Sequence, residues 1–139
     1  MISAMPDLIR AFGFVKKAVA LANVELGALD AQLAQPIIKA CEALIARKFH
    51  DQFVVTVIQG GAGTFTNMNA NEVIAVVALE IMGLEKGRYD ALHPNDRVNA
   101  PQSTIDVYPT AVRLALWMAI DRLLGSMESR AGGEGKKSG

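Results

Sequence analysis

The sequence predicts a mainly α-helical chain. Apolar residues recur at three-and-four spacing along most of it, helix start and stop residues punctuate that pattern, and the single β-branched run has no partner strand. Hydrophobic residues make up 51% of the 139 and charged residues 20%, which allows a packed core in one domain and excludes disorder for the bulk of the chain.

The first helix is expected over residues 6–27. Leu8, Ile9, Phe12, Val15, Val19, Ala22 and Leu26 carry its apolar spacing, Arg10, Lys16, Lys17 and Glu25 interleave, and Pro6 suits the first turn. A second helix is expected from about Asp30 to Lys48, with Ile37, Ile38, Ala40, Cys41, Leu44 and Ile45 apolar and Pro36 starting or kinking it. Residues 50–59, HDQFVVTVIQ, read as an extended connector. Residues 71–82 read as a third helix, charged only at its two glutamates, with Asn69 and Glu72 at the N-cap and N3 places of a capping box and Gly83 closing it. Residues 83–105 read as loop, and a last helix is expected from about Asp106 to Ser126. Residues 125–139 are glycine-rich and polar and are expected to form a disordered tail.

Two of these helices are apolar nearly all round, so each must be covered on every side. So short a chain cannot surround two of its own helices, and cover from other subunits is expected.

Composition narrows the function. Fourteen basic and 14 acidic residues cancel, no basic stripe stands out and aromatics are only 6%, so nucleic-acid binding has no support. The lone Cys41 lies in an apolar helical pattern, which suits a buried thiol and a reducing compartment. The longest late apolar run, residues 111–120, is interrupted by Arg113 and too short to span a bilayer, and residues 1–14 lack a signal peptide's pattern. A cytoplasmic protein with no membrane partner is expected. His50 and His93 are far apart with no joining carboxylate cluster, so no metal site is expected.

Chemistry concentrates in two polar passages. QGGAGTFTNMNAN at 59–71 crowds three glycines, two threonines and three asparagines ahead of an apolar helix. HPNDRVNAPQSTID at 93–106 has the same layout, with Asp106 an N-cap candidate and Pro109 in the first turn. Helix N-termini present free N–H groups and partial positive charge, so two hydroxyl-bearing helix starts can grip a small dicarboxylate at both ends. Thr64 and Thr66 stand at one start, Ser103 and Thr104 at the other. The first passage is no P-loop, since no Gly-Lys-Ser/Thr follows, and no dinucleotide fingerprint. Nothing in the spacing singles out a triad of Ser103, His93 and Asp96. Gly, Asn, Thr and Ser are also ordinary loop and capping residues, so the residues alone leave a ligand site and plain capping both open.

The wording of these passages is more specific. QGGAGTFTNMNANEV at 59–73 resembles the QGGAGTSxNMNxNEV segment of aspartate ammonia-lyases, and LHPNDRVNAPQSTIDVYPTAVRLAL at 92–116 resembles their PNDHVNxxQSTNDxYPTA segment. MPDLIRAFGFVKKAVALANVEL at 5–26 and IIKACEALI at 37–45 look like the helices that precede these motifs. Class II fumarases share the framework, but their first loop usually reads differently before the threonine. The resemblance runs over about residues 2–124, and the segment is taken as 1–124.

The resemblance implies a helical aspartase/fumarase-like fold that assembles as a homotetramer around a central bundle of helices from all four subunits. It implies reversible elimination of ammonia from L-aspartate to fumarate, without an organic cofactor. Thr64 matches a carboxylate-contacting threonine of the family, and Ser103 and Thr104 match its carboxylate-binding Ser-Thr pair. His93, Asn95 and Asp96 match a segment that borders a secondary dicarboxylate site in fumarase relatives. Ile105 stands where the family's asparagine faces the substrate amino group, and a branched alkyl side chain offers that group no hydrogen bond. Phe65, Arg97 and Pro101 also depart from the family wording. The family's GSSxMPxKxNP loop, which carries the catalytic serine base, does not occur in these 139 residues. The expectation is an aspartase-like segment truncated at both ends, with no catalytic residue retained and inactive alone, whose partners are aspartate or fumarate and other lyase subunits. A dicarboxylate-binding pseudoenzyme and a non-catalytic interaction module are the alternatives, and class II fumarase is the alternative ancestry.

Overall fold

The computed structural model describes residues 1–134. They form four helices: α1 (Pro6–Glu25), α2 (Ala31–Ile45), α3 (Thr64–Ile81) and α4 (Thr104–Glu134). No strand forms among the described residues. Helix α1 packs along α2, and α3 packs on α2, while α4 returns across α1 and the start of α3.

The first two helices follow from their sequence. Pro6 sits in the first turn of α1, and Asp30 caps α2 by accepting from the Gln32 amide at 2.7 Å. Gly13 lets them meet closely, because a Cβ there would lie 3.0 Å from the Cys41 carbonyl oxygen and 2.9 Å from the Ile45 side chain. Ile9, Phe12, Ile37, Leu44, Ile74 and Leu79 fill the core between α1, α2 and α3. Pro36 lies inside α2, one turn past its start, and does not end it. Cys41 is fully buried, and burial pushes its thiol up to about 12, so it is an unreactive core residue.

Helix α3 begins seven residues before its expected start at 71, and the capping box of Asn69 and Glu72 does not form. Gly63 is the N-cap, in the left-handed region with φ 88°. The acceptor that caps the helix comes from upstream: Gln59 Oε1 accepts from the Thr66 amide at 3.1 Å, and Gln59 Nε2 donates to Thr66 Oγ1 at 2.7 Å. Helix α4 also starts two residues early, at Thr104, with Ser103 rather than Asp106 before its first turn. Ser103 Oγ accepts from the Ile105 amide at 3.3 Å, and its carbonyl accepts from Asp106 and Val107. The expected loop at 83–105 contains a π-helical turn, Pro94–Val98. The connector at 50–59 opens with a 3₁₀ turn, and its carbonyls at Phe53 and Val55 accept from Ser3 and Ile2.

The last helix runs past Ser126 to Glu134, so residues 125–134, expected as disordered tail, are helical. Leu123, Leu124, Met127, Glu128 and Arg130 are good helix formers, and they carry the helix across Gly125. Residues 135–139 of that expected tail lie outside the described residues. Arg122 anchors α4 to the start of α1, donating to Asp7 Oδ2 at 2.6 Å. On either side of that contact its apolar side chains lack cover: Leu116, Ile120, Leu123, Leu124 and Met127 are all more than half exposed.

A buried polar network sets the helices against one another. Lys16 is 1% exposed, on the stripe Ile9, Phe12, Lys16, Ala20, Asn23 that α1 turns inward, rather than on an interleaved polar face. Its Nζ donates to Asn99 Oδ1 at 2.9 Å, and Asn67 Nδ2 of α3 donates to the same oxygen at 3.0 Å. Asn99 Nδ2 donates onward to the Gln102 carbonyl at 3.0 Å, and Asn23 Nδ2 to the Ala100 carbonyl at 2.6 Å. The passage that leads into α4 is thus tied to α1 and α3 by side-chain amides. Burial pulls Lys16 down to about 7, so near neutral pH it gives up its charge instead of finding a counter-ion.

Two outcomes follow for stability. A Cβ at Gly63 would overlap the Tyr108 ring and force a left-handed backbone on an alanine, so Gly63→Ala should cost ~3 kcal/mol in denaturant unfolding. Between about pH 7 and the ordinary 10.5 of a lysine, the unfolded chain holds a proton on Lys16 that the folded chain has released. The unfolded state then binds more protons, so stability rises with pH. From 9.0 upward Cys41 opposes this, because its buried thiol keeps its proton to about 12 while the unfolded thiol loses it. Unfolding free energy should therefore climb by about 1.4 kcal/mol per pH unit from about pH 7 to 9 and then level off, and Lys16→Met should flatten the climb.

Candidate functional site

The starts of α3 and α4 lie side by side. Asn67 Nδ2, one turn into α3, donates to Thr104 Oγ1 at 3.2 Å, and Tyr108, one turn into α4, covers Gly63. Two helix N-termini with their partial positive charges therefore face one region, and Thr64, Ser103 and Thr104 stand at their mouths. Thr66 is fully buried on the Gln59 cap and belongs to the helix start, not to this mouth.

Hydroxyl hydrogens decide what each residue can offer an anion. Thr104 Oγ1 accepts from Asn67, and Ser103 Oγ accepts from the Ile105 amide, so both keep an O–H to donate. Thr64 differs: its Oγ1 donates to the Gly61 carbonyl at 2.6 Å, and it must exchange that bond to reach a ligand. Among the described residues the amides of Phe65 and Thr104 meet no acceptor, which leaves one N–H donor at each helix start. The arrangement is a set of neutral donors and dipoles suited to a carboxylate. Ile105 is 77% exposed beside them and adds only alkyl surface.

His93, Asn95 and Asp96 come together in the π-helical turn. His93 Nδ1 accepts from the Asn95 amide at 3.3 Å and lies 3.5 Å from Asp96 Oδ2. His93 and Asn95 line an open cavity of about 430 Å³, opposite Phe65, Met68, Glu72 and Tyr89, while Asp96 is not among its lining residues. Glu72, expected in a capping box, instead accepts from the Tyr89 hydroxyl across this cavity. Phe65 projects from the first turn of α3 into the cavity wall, so the two candidate sites adjoin. Ser103 does not join His93 and Asp96: its hydroxyl caps α4, and the paper triad is not assembled. Among the described residues no three His, Cys, Asp or Glu side chains gather to hold a metal ion, and no helix is long and apolar enough to cross a membrane.

Three residues that position this site were not read from the sequence as doing so. Lys16, Gln59 and Asn99 each act across the chain, and only the helical register of Lys16 with Ile9, Phe12 and Asn23 carried a signal of it.

Known proteins match both the sequence and the fold. The lyase family matches residues 3–130. Aspartate ammonia-lyase of Pseudomonas fluorescens is 56% identical over 128 residues, 92% of this chain and 27% of that protein. Aspartate ammonia-lyase of Helicobacter pylori is 53% identical over 124 residues, 89% of this chain and 26% of that protein. The crystal structure of a fumarate lyase:delta crystallin from Brucella melitensis superposes with a TM-score of 0.89 at 50% identity, over 91% of this chain and 30% of that one. A class II fumarase from Schistosoma mansoni superposes at 0.76 with 34% identity, over 81% of this chain and 24% of that one. The chain thus spans about a quarter of the length of the curated relatives it matches. Its helical fold is that of the structures it superposes on, and the chain belongs to the lyase family.

Proposed function

We propose that this chain is the carboxylate-binding segment of an aspartate ammonia-lyase-type site, residues 1–124 being that segment. The observation that carries the reading is the Asn67–Thr104 hydrogen bond, which holds two helix N-termini and their hydroxyls against one region. A base outside these residues removes the proton next to one substrate carboxylate. Charge then gathers on that carboxylate, where the O–H donors of Ser103 and Thr104 and the free helix-start amides bind it more strongly than in the ground state. Ammonia leaves from the neighbouring carbon as the double bond of fumarate forms. Within the 139 residues nothing corresponds to the family's serine-base loop, so the chain alone binds without turning over. The adjoining cavity lined by His93 and Asn95, with Asp96 3.5 Å from His93, serves as a dicarboxylate subsite, and a reducing cytoplasm suits the lone Cys41.

A second reading is favoured by the bare stripe on α4. Leu116, Ile120, Leu123, Leu124 and Met127 are an unpaid hydrophobic surface, and other lyase subunits, identical or full-length, are the cover that fits the family. Sedimentation of the chain with a full-length aspartate ammonia-lyase tests it: co-migration supports a subunit-like role, and a well-behaved monomer that ignores the lyase contradicts it.

Ligand binding is tested by thermal unfolding. Fumarate at about ten times its dissociation constant should stabilise the chain by about 1.4 kcal/mol, and Ser103→Ala with Thr104→Val should remove that gain. Aspartate should stabilise less than fumarate, because Ile105 leaves its ammonium unpaired, and Ile105→Asn should narrow the difference. Fumarate release from aspartate by the pure chain would overturn the non-catalytic reading.

A further inference from the structure

Helices α1, α2 and α3 end in the same backbone motif. The amide three residues past each helix bonds back to a carbonyl in its last turn: Ala28 to Asn23 at 2.8 Å, Lys48 to Ala43 at 2.9 Å, Leu84 to Leu79 at 3.0 Å. The residue in between is left-handed in every case. In α1 and α3 it is glycine, Gly27 at φ 70° and Gly83 at φ 74°. In α2 it is Arg47 at φ 64°, where an L side chain carries a backbone cost that glycine does not.

The side chain so placed lines an open cavity of about 570 Å³ between the end of α2, α1 and α4. Its charged groups are Arg10, Arg47, Arg122 and Asp121, and its apolar wall includes Phe14, Trp117 and Met118. Two of the arginines are already engaged. Arg122 is paired to Asp7 at 2.6 Å, and Arg10 lies 3.8 Å from the same carboxylate while donating to the Ile45 carbonyl at 3.2 Å. Asp7 is held below the usual carboxylate range, first by the Arg122 hydrogen bond and then, against its burial, by the charges of Arg122, Arg10 and Arg47. All three guanidiniums therefore act on one small region, and among the described residues that line the cavity or pair with them the opposing carboxylates are Asp121 and Asp7. One positive charge is in excess, and Arg47 carries it: among the described residues it forms no ion pair.

We propose that this cavity is a binding site for a small aromatic or branched monocarboxylate, its apolar body against Trp117 and Phe14 and its carboxylate on the Arg47 guanidinium. The volume lies within the ~300–1,000 Å³ range of small-molecule sites. A single excess charge matches one carboxylate, and the planar guanidinium offers it a two-point grip. None of Thr64, Ser103 or Thr104 lines the cavity, so this site is separate from the paired helix starts.

Trp117 is the only tryptophan of the chain, and its emission reports on this cavity directly. Titration of the 139-residue chain with phenylbutyrate should shift that emission saturably, with about tenfold or greater preference over uncharged phenylbutanol at equal ionic strength. Arg47→Gly should bind acid and alcohol alike while unfolding at a higher temperature, because glycine relieves the left-handed backbone. Arg47→Met, which keeps the bulk, should lose the preference too. Equal binding of acid and alcohol by the unaltered chain, the absence of any saturable shift, or a preference for the acid that survives both variants overturns the proposal.

Discussion

A lysine without a counter-ion is the constraint around which the fold is arranged. Lys16 sits on the inward stripe of α1, and among the described residues its only hydrogen-bond partner is the Asn99 side-chain oxygen. Burying a charged ammonium there would cost several kcal/mol, so the amine is neutral over much of the range where an ordinary lysine is charged. Asn99 must then be present and correctly turned, because its oxygen serves both Lys16 and Asn67 and its amide holds the Gln102 carbonyl. Removing it would leave the Lys16 amine without its acceptor and one of the two Asn67 side-chain N–H groups unpaired, each loss worth about 1–3 kcal/mol. The backbone that carries Asn99 leads within five residues to Thr104, so the same contacts that satisfy the core decide where α4 begins.

The site inherits its geometry from that arrangement. Asn67 bonds both Asn99 and Thr104, which makes one α3 side chain the link between the core network and the hydroxyl at the mouth of α4. Gly63 permits the Tyr108 ring to lie against the α3 start, and Gln59 satisfies the Thr66 amide that would otherwise compete for a ligand. The outcome is two preorganised helix ends whose remaining donors point outward. Such donors need no reorganisation when charge develops on a carboxylate, which is the physical basis of the proposal that this region binds one. What the chain does not supply is equally definite within its own residues: the side chain of Ile105 cannot hold an ammonium group, and the apolar stripe of α4 stays more than half exposed.

Much of this was legible in the sequence. Amphipathic spacing places α1 and α2 within about three residues of their observed ends, because their buried faces are local and apolar. The family wording of the two polar passages identified Thr64, Ser103 and Thr104, which the fold brings to two adjacent helix starts. The start of α3 was not legible, and the reason is physical. Residues 64–70 carry polar side chains that look like loop, yet Thr66, Asn67 and Asn69 bond Gln59, Asn99, Thr104 and the Gln52 carbonyl, seven to 37 residues away. Tertiary partners override local propensity there. Lys16 and Lys17 are neighbours of one type, and only register separates them: Lys16 falls in line with Phe12 and Ala20 and is buried, while Lys17 turns out to Glu42. The extension of α4 past Ser126 was not legible because the residues that follow are polar and glycine-rich, yet the helix continues through them to Glu134.

The central claim is that Lys16 and Asn99 form one buried unit that fixes the start of α4. A double-mutant cycle on denaturant unfolding with Lys16→Met and Asn99→Leu tests it most directly, since Asn99→Leu strands the buried Lys16 amine, Lys16→Met takes one of two donors from the Asn99 oxygen, and the pair removes that contact from both sides. The account predicts that each single variant is destabilised by about 2 kcal/mol or more and that the double variant is more stable than their sum by at least about 1.5 kcal/mol. Additive effects within about 0.5 kcal/mol would contradict it.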